Sequence, residues 1–409
     1  MDELCFCSAA YGGWGIVRVG TLVPESHSLF ICPFSCGRHN AVGAELHGYR
    51  DHLSYLFIDQ KDIALGTIPE DILSAVSEIL AEKESRPKVI LLYFSCVLYM
   101  SGFDWDAVAE DLADRYPDIV FQVCLMNPIA VGGKKPPALT MHKSLCDLWS
   151  SSPERDNGLN LLGCYVPPAA NNELYRVLED CGIGPVRHFT FAKTFDEYRQ
   201  MAQSAYNLVI RPEGALAAKS RESEMKTVFT PITYDLEQIK DQYDMLFDML
   251  GNNADITPYL TKAENSIEQA LKQVKNLKIA VGSSAVCRPF SLARALVKYG
   301  FAVSDVFTDG CPAYEKEAFD FLQENCTHIV FHDIHSPDNW NHVGHIGFAD
   351  IAIGYSAGYY TGAPSVVDLV ADEGMFGYSG VKTLMQSLIS AVDSPKSLKP
   401  MLESYGLIV

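Results

Sequence analysis

The feature that most constrains this chain is a repeated alternation of short apolar runs with amphipathic segments. KVILLYFSC (88–96) is apolar, rich in Val, Ile and Leu, and too short for an independent helix. DWDAVAEDLADRY (104–116) then spaces its apolar residues at helical intervals, and DIVFQVCLM (118–126) returns to a strand. PEDILSAVSEILAEKE (69–84) is a further helix ahead of this set. Strand, helix and strand in succession call for parallel strands covered on both faces.

The alternation restarts twice. GLNLLGCYV (158–166), NNELYRVLEDCGI (171–183), AYNLVIRP (205–212) and KTVFTPITYD (226–235) form a second unit. A helical stretch from Leu236 to Leu277 follows, broken near Gly251–Pro258. LKIAVGSSA (277–285) opens a third unit, which continues through PFSLARALVKYG (289–300), AVSDVFT (302–308), THIVFHD (327–333) and FADIAIGYS (348–356). With 409 residues, of which 48 % are hydrophobic, the chain is too long for one core and apolar enough for several. The reading is α/β, with three Rossmann-like domains and mainly parallel sheets, at 1–155, 156–276 and 277–409.

Charge excludes some functions. The net charge is −19 and no basic run occurs, so no nucleic-acid partner is expected. No window reaches the roughly 18 apolar residues of a membrane span. The start, MDELCFCSAAYGGWG, lacks the basic and apolar segments of a signal peptide. A cytoplasmic location is expected, and the twelve cysteines are not expected to form disulfides there.

Of the seven cysteines in the first domain, Cys5, Cys7, Cys32, Cys36 and Cys96 fall in or beside turns. Their spacings match no compact ferredoxin run and no zinc-finger pair, so spacing leaves inert buried thiols and a metal cluster both open. Cys96 ends an apolar strand, and ligands of open α/β sheets gather beyond such ends.

Other motifs carry less. HDIHSPDNWNHVGH (332–345) holds four histidines without a rigid helical pair and reads as a polar loop. VGSSAVCRPFS (281–291) is a small-residue turn opening a helix, a place where backbone N–H groups can face an anion. It is neither GxGxxG nor a Walker A loop. No Ser-His-Asp order or nucleophile elbow is present.

The first 150 residues resemble the component 1 family of nitrogenase and related ATP-driven reductases. The resemblance rests on Cys7 with AYGGWG, on Cys36 ending FICPFSC, and on Cys96 in CVLYMSGFD, where Gly102 and Asp104 complete a C-x5-G-x-D pattern. FIDQKDIALGTIPEDILSAVSEILAE between them, and the late DEGMFGYSGVKTLMQSL (372–388), are also similar to family segments. The resemblance implies a nitrogenase component 1-like fold and an anaerobic, oxygen-sensitive oxidoreductase. It implies that Cys7, Cys36 and Cys96 ligate an iron–sulfur cluster, 4Fe-4S or P-cluster-like. Cys7 is preferred to Cys5 as the residue nearer the Tyr-Gly-Gly segment. Three ligands leave a four-iron cluster short, which implies a homodimeric or heterodimeric partner subunit. An ATP-hydrolysing iron protein is the implied electron donor.

Two departures stand out. NLVIRP (207–212) places Arg211 where relatives carry a cofactor cysteine, and Phe376 precedes GYSG (377–380) where relatives carry a histidine. Arginine offers five donors and no acceptor, so it cannot replace a thiolate. No iron–molybdenum cofactor and no dinitrogen reduction are expected. Arg211 is instead a candidate clamp for a substrate carboxylate or phosphate. Alternative functions are a scaffold for metallocofactor assembly and a metal-free α/β small-molecule-binding protein.

Overall fold

A computed structural model describes residues 22–46, 48–126, 137–149 and 154–404. Its strands form three sheets in which every pairing is parallel. The first sheet holds β1 (Ser26–Cys32), β2 (Leu53–Phe57), β3 (Val89–Ser95) and β4 (Val120–Met126), in the order β2-β1-β3-β4. The second holds β5 (Asp156–Leu162), β6 (Val186–Arg187), β7 (Ser204–Val209) and β8 (Lys226–Phe229), in the order β6-β5-β7-β8. The third holds β9 (Lys278–Gly282), β10 (Ala302–Thr308), β11 (Val330–Asp333), β12 (Ile351–Ile353) and β13 (Ser365–Val367), in the order β11-β10-β9-β12-β13.

The described residues gather into two compact units. One contains 22–165 and 185–229, with the first and second sheets; the other contains 166–184 and 230–404, with the third.

In the first sheet, strand alternation sorts the core into two faces. Leu29, Ile31, Ile90, Leu92 and Phe94 face one side, where Ile68, Ile72, Val76 and Ile79 of the helix Ile68–Glu82 meet them with Val108 and Leu112 of the helix Trp105–Arg115. The spacing of those helical residues lines up a single apolar stripe. Phe30, Cys32, Leu91 and Tyr93 face the other side and share a core with Met141, Leu145, Leu162 and Val209. Each such side chain contributes about 2 kcal/mol by leaving water.

The break expected near Gly251–Pro258 occurs. Gly251 ends the helix Leu236–Leu250 with φ 71°, which suits glycine, and Pro258 lies in the first turn of the helix Thr257–Val274. Among the described residues, no helix is long and apolar enough to cross a membrane.

Candidate functional site

In a doubly wound sheet, connections from two adjacent strands leave in opposite directions at a switch point, opening a crevice at their carboxyl ends. In the first sheet that point lies between β1 and β3. Cys36 and Cys96 flank it. Cys36 is exposed in the first turn of the helix Phe34–Leu46, its N–H donating to the Pro33 carbonyl at 2.9 Å. Cys96 is half-buried and begins the helix Cys96–Met100 directly after β3. A cleft of about 870 Å³ opens beside them, lined by Pro33, Ile58, Asp59, Gln60, Lys61, Ile63 and Val97, which follow the ends of β1, β2 and β3.

Cys32 behaves differently. As the last residue of β1 it is fully buried, and burial together with the neighbouring Cys36 pushes its thiol up to about 12. It remains protonated at neutral pH and is a core residue. Cys7 lies outside the described residues. Among the described residues, no group of three or more His, Cys, Asp or Glu side chains is arranged to hold a metal ion. The donor chemistry nevertheless suits an iron–sulfur group: an exposed and a half-buried cysteine follow adjacent strands, near a cleft larger than a cluster requires.

The second sheet repeats the plan, with its switch point between β5 and β7. Arg211 follows β7 there. It is 8 % exposed, and its guanidinium donates to Glu213 at 2.7 Å and 3.3 Å. Gly163, with φ 93°, lets the loop after β5 touch this segment: a Cβ would stand 2.3 Å from the Arg211 carbonyl oxygen. The Gly163 N–H donates to Nε2 of buried His142 at 3.0 Å. Burial lowers the His142 pKa to about 3, keeping the ring neutral. Buried His188 is likewise lowered to about 4; its Nε2 lies 3.0 Å from the Cys164 carbonyl oxygen and it caps the turn that follows. Cys164 therefore adjoins a structural histidine.

The small-residue turn after β9 is filled from within. The Cys287 N–H donates to Asp372 at 2.8 Å, and the Ser284 and Ser356 hydroxyls pair at 2.8 Å. The following helix, Pro289–Tyr299, receives the buried Glu315 carboxylate at the N–H groups of Phe290 (2.7 Å) and Ser291 (3.3 Å). The donors available to an external anion are thus taken by the protein's own carboxylates, a correction that the local sequence could not supply.

Within β11, His332 stacks on Phe307 of β10 with ring centroids 4.5 Å apart and lies 2.7 Å from Asp305, an arrangement internal to the third sheet. Phe376 is buried and edge-on to Tyr243. Next to it, Glu173 accepts from the N–H groups of Tyr378 (2.6 Å) and Ser379 (3.0 Å) and from the Tyr243 hydroxyl (3.1 Å), capping the helix Gly377–Asp393. Gly377 has φ 56°, and a Cβ there would lie 2.3 Å from the Glu173 carboxylate. GYSG is therefore a packing motif as well as a helix start. Sequence reasoning passed over Glu173 because its partners lie far along the chain, Tyr243 at 70 residues and Tyr378 and Ser379 at 205 and 206.

The fold defines a multidomain, doubly wound α/β protein, with a cysteine following each of the two strands that flank the switch point of its first sheet. The model of the nitrogenase component 1 type oxidoreductases matches residues 14–393, and the chain belongs to that family. The nitrogenase iron-molybdenum cofactor biosynthesis protein NifE of Clostridium pasteurianum is 24 % identical over 328 residues, covering 75 % of this chain and 68 % of its own. Among solved structures, nitrogenase Cp1 at pH 6.5 is similar with a TM-score of 0.75 and 15 % identity, covering 96 % of this chain and 94 % of that one. Nitrogenase Cp1 at pH 5 gives 0.60 and 13 %, covering 97 % and 90 %. At these identities the structural likeness is one of fold, the nitrogenase component 1 fold with several parallel-sheet domains.

Proposed function

We propose that this chain is a nitrogenase-like component 1 subunit that holds an iron–sulfur cluster through Cys36 and Cys96, with Cys7 as third ligand, at a contact with a second subunit. The observation that carries this reading is that exposed Cys36 and half-buried Cys96 follow the two strands that flank one switch point, while Cys32, four positions before Cys36, is sealed in the core. The rim supports a partner: Phe34, Leu65, Tyr99 and Met100 leave 66 %, 64 %, 50 % and 73 % of their surfaces exposed. When bound, the cluster supplies one-electron chemistry at low potential. The chain's part is to present thiolates, to exclude water from one side through the sheet core, and to offer the apolar rim to its partner, either homodimeric or heterodimeric. An ATP-hydrolysing iron protein is the proposed electron source, and the cytoplasm the proposed setting. Arg211 is the proposed substrate contact; a substrate anion there would displace Glu213.

A second reading, a scaffold for metallocofactor assembly, is favoured by the similarity to a protein named for cofactor biosynthesis. Both readings need the cluster. Iron and acid-labile sulfide per chain after anaerobic purification, with electron paramagnetic resonance of the reduced form, test it. About two irons per chain fit one four-iron cluster shared by a dimer, and about four or more fit a larger centre. A folded chain without iron overturns both readings. Turnover with reductant, MgATP and the cognate iron protein favours the enzyme. Transfer of iron and sulfide to an acceptor protein without turnover favours the scaffold.

A further inference from the structure

Ser95 is the last residue of β3 and immediately precedes Cys96. Its side chain is 3 % exposed, and its Oγ has no hydrogen-bond partner among the described residues. A serine before a helix ordinarily caps it. Ser95 occupies the N-cap position of the helix Cys96–Met100, yet its side chain makes no capping bond. A buried hydroxyl in that state carries an uncompensated desolvation cost, and an alanine would be buried there without it.

The register shows what the hydroxyl adjoins. Ile31 of β1 pairs with Phe94 of β3, so the next positions, Cys32 and Ser95, lie level at the floor of the switch point. Strand alternation puts Ser95 on the sheet face that carries Val89, Leu91 and Tyr93, the face that also carries Phe30 and Cys32. Ala44 of the helix that carries Cys36 packs into the same core. Ser95 thus lies on the sheet face that receives the helix carrying Cys36, and it directly precedes Cys96.

We propose that the Ser95 hydroxyl donates a hydrogen bond to a sulfur of the cluster held by Cys36 and Cys96 and so raises its reduction potential. This rests on the cluster reading above. Reduction adds negative charge to the cluster sulfurs, so an O–H donor stabilises the reduced form more than the oxidised one. Cluster binding would also give the orphan hydroxyl its partner.

The test compares the full chain with Ser95→Ala and Ser95→Thr, purified anaerobically, by iron content and by a mediated redox titration followed by electron paramagnetic resonance. Ser95→Ala is expected to keep the iron of the unaltered chain and to shift its midpoint to a more negative potential. Ser95→Thr, which keeps the hydroxyl, is expected to restore the midpoint. An unchanged midpoint in Ser95→Ala at full iron content overturns the proposal. Loss of iron in Ser95→Ala also overturns it, because Ser95 would then be a ligand or a folding residue. Melting of the chelator-stripped chains is a second measurement. Ser95→Ala is expected to be at least as stable as the unaltered chain, and a clear loss overturns the proposal. If the unaltered chain itself holds no iron, the cluster reading fails first, an outcome distinct from either iron-containing result.

Discussion

Cys32 and Cys36 are separated by three residues, and the structure buries the first while exposing the second. At pH 8 a thiol held at about 12 is ionised in roughly one molecule in ten thousand, whereas an unperturbed thiol near 8.5 is ionised in roughly a quarter. Alkylation proceeds through the thiolate. Ionisation alone therefore slows Cys32 by about three orders of magnitude relative to an ordinary cysteine, and its full burial slows it further. The assay treats the folded, metal-stripped chain with iodoacetamide at pH 8 under argon and follows each cysteine by peptide mass spectrometry. Cys36 is expected to label within minutes, while Cys32 labels only after denaturant is added. Loading should then protect Cys36, and Cys32→Ser should retain iron that Cys36→Ser loses. Labelling of native Cys32 within tenfold of Cys36, or equal iron loss in the two serine variants, would refute the distinction drawn between a core thiol and a ligand.

Other outcomes follow from the same coordinates. Cys96→Ala should lose the cluster's visible absorbance and its iron while keeping the circular dichroism of the unaltered chain, since Cys96 is only half-buried. Glu173→Ala removes the acceptor of two helix N–H groups and of the Tyr243 hydroxyl; a loss of about 3 kcal/mol is expected in urea unfolding, and less for Glu173→Gln, which keeps one acceptor oxygen. Gly377→Ala combines a positive φ with a Cβ clash against Glu173, and a loss of about 3 kcal/mol is expected by the same assay. His188 has its pKa lowered in the folded state to about 4, so its contribution is complete above the unfolded value near 6.5 and is lost as the pH falls from there towards 4. The expected cost at pH 5 is about 2 kcal/mol relative to pH 7, and His188→Gln should flatten that slope.

The sequence by itself determined the architecture. Runs such as KVILLYFSC are apolar on both sides because parallel strands are covered on both faces, and this signal survives without any knowledge of the partners. The helices Ile68–Glu82, Trp105–Arg115 and Pro289–Tyr299 were legible for the same reason, since their burial is periodic along the chain. The strand β1 was not singled out, because Ser26, His27 and Ser28 interrupt its apolar pattern. Those residues are buried only because neighbours satisfy them, as the Val23 carbonyl does for Ser26 and Ser54 for His27. Cys36 and Cys96 were candidates from a pattern of residues in order. Their placement on either side of one switch point depends on β1 and β3 being neighbours, which is a property of strand order and not of sequence distance. Only the tertiary structure decided that Cys32 is sealed while Cys36 is open, that Arg211 is held by Glu213, and that the anion-ready turns of the third sheet are occupied by Asp372 and Glu315. Burial and long-range hydrogen bonds set the chemistry of a side chain, and neither is encoded in its immediate neighbours along the chain.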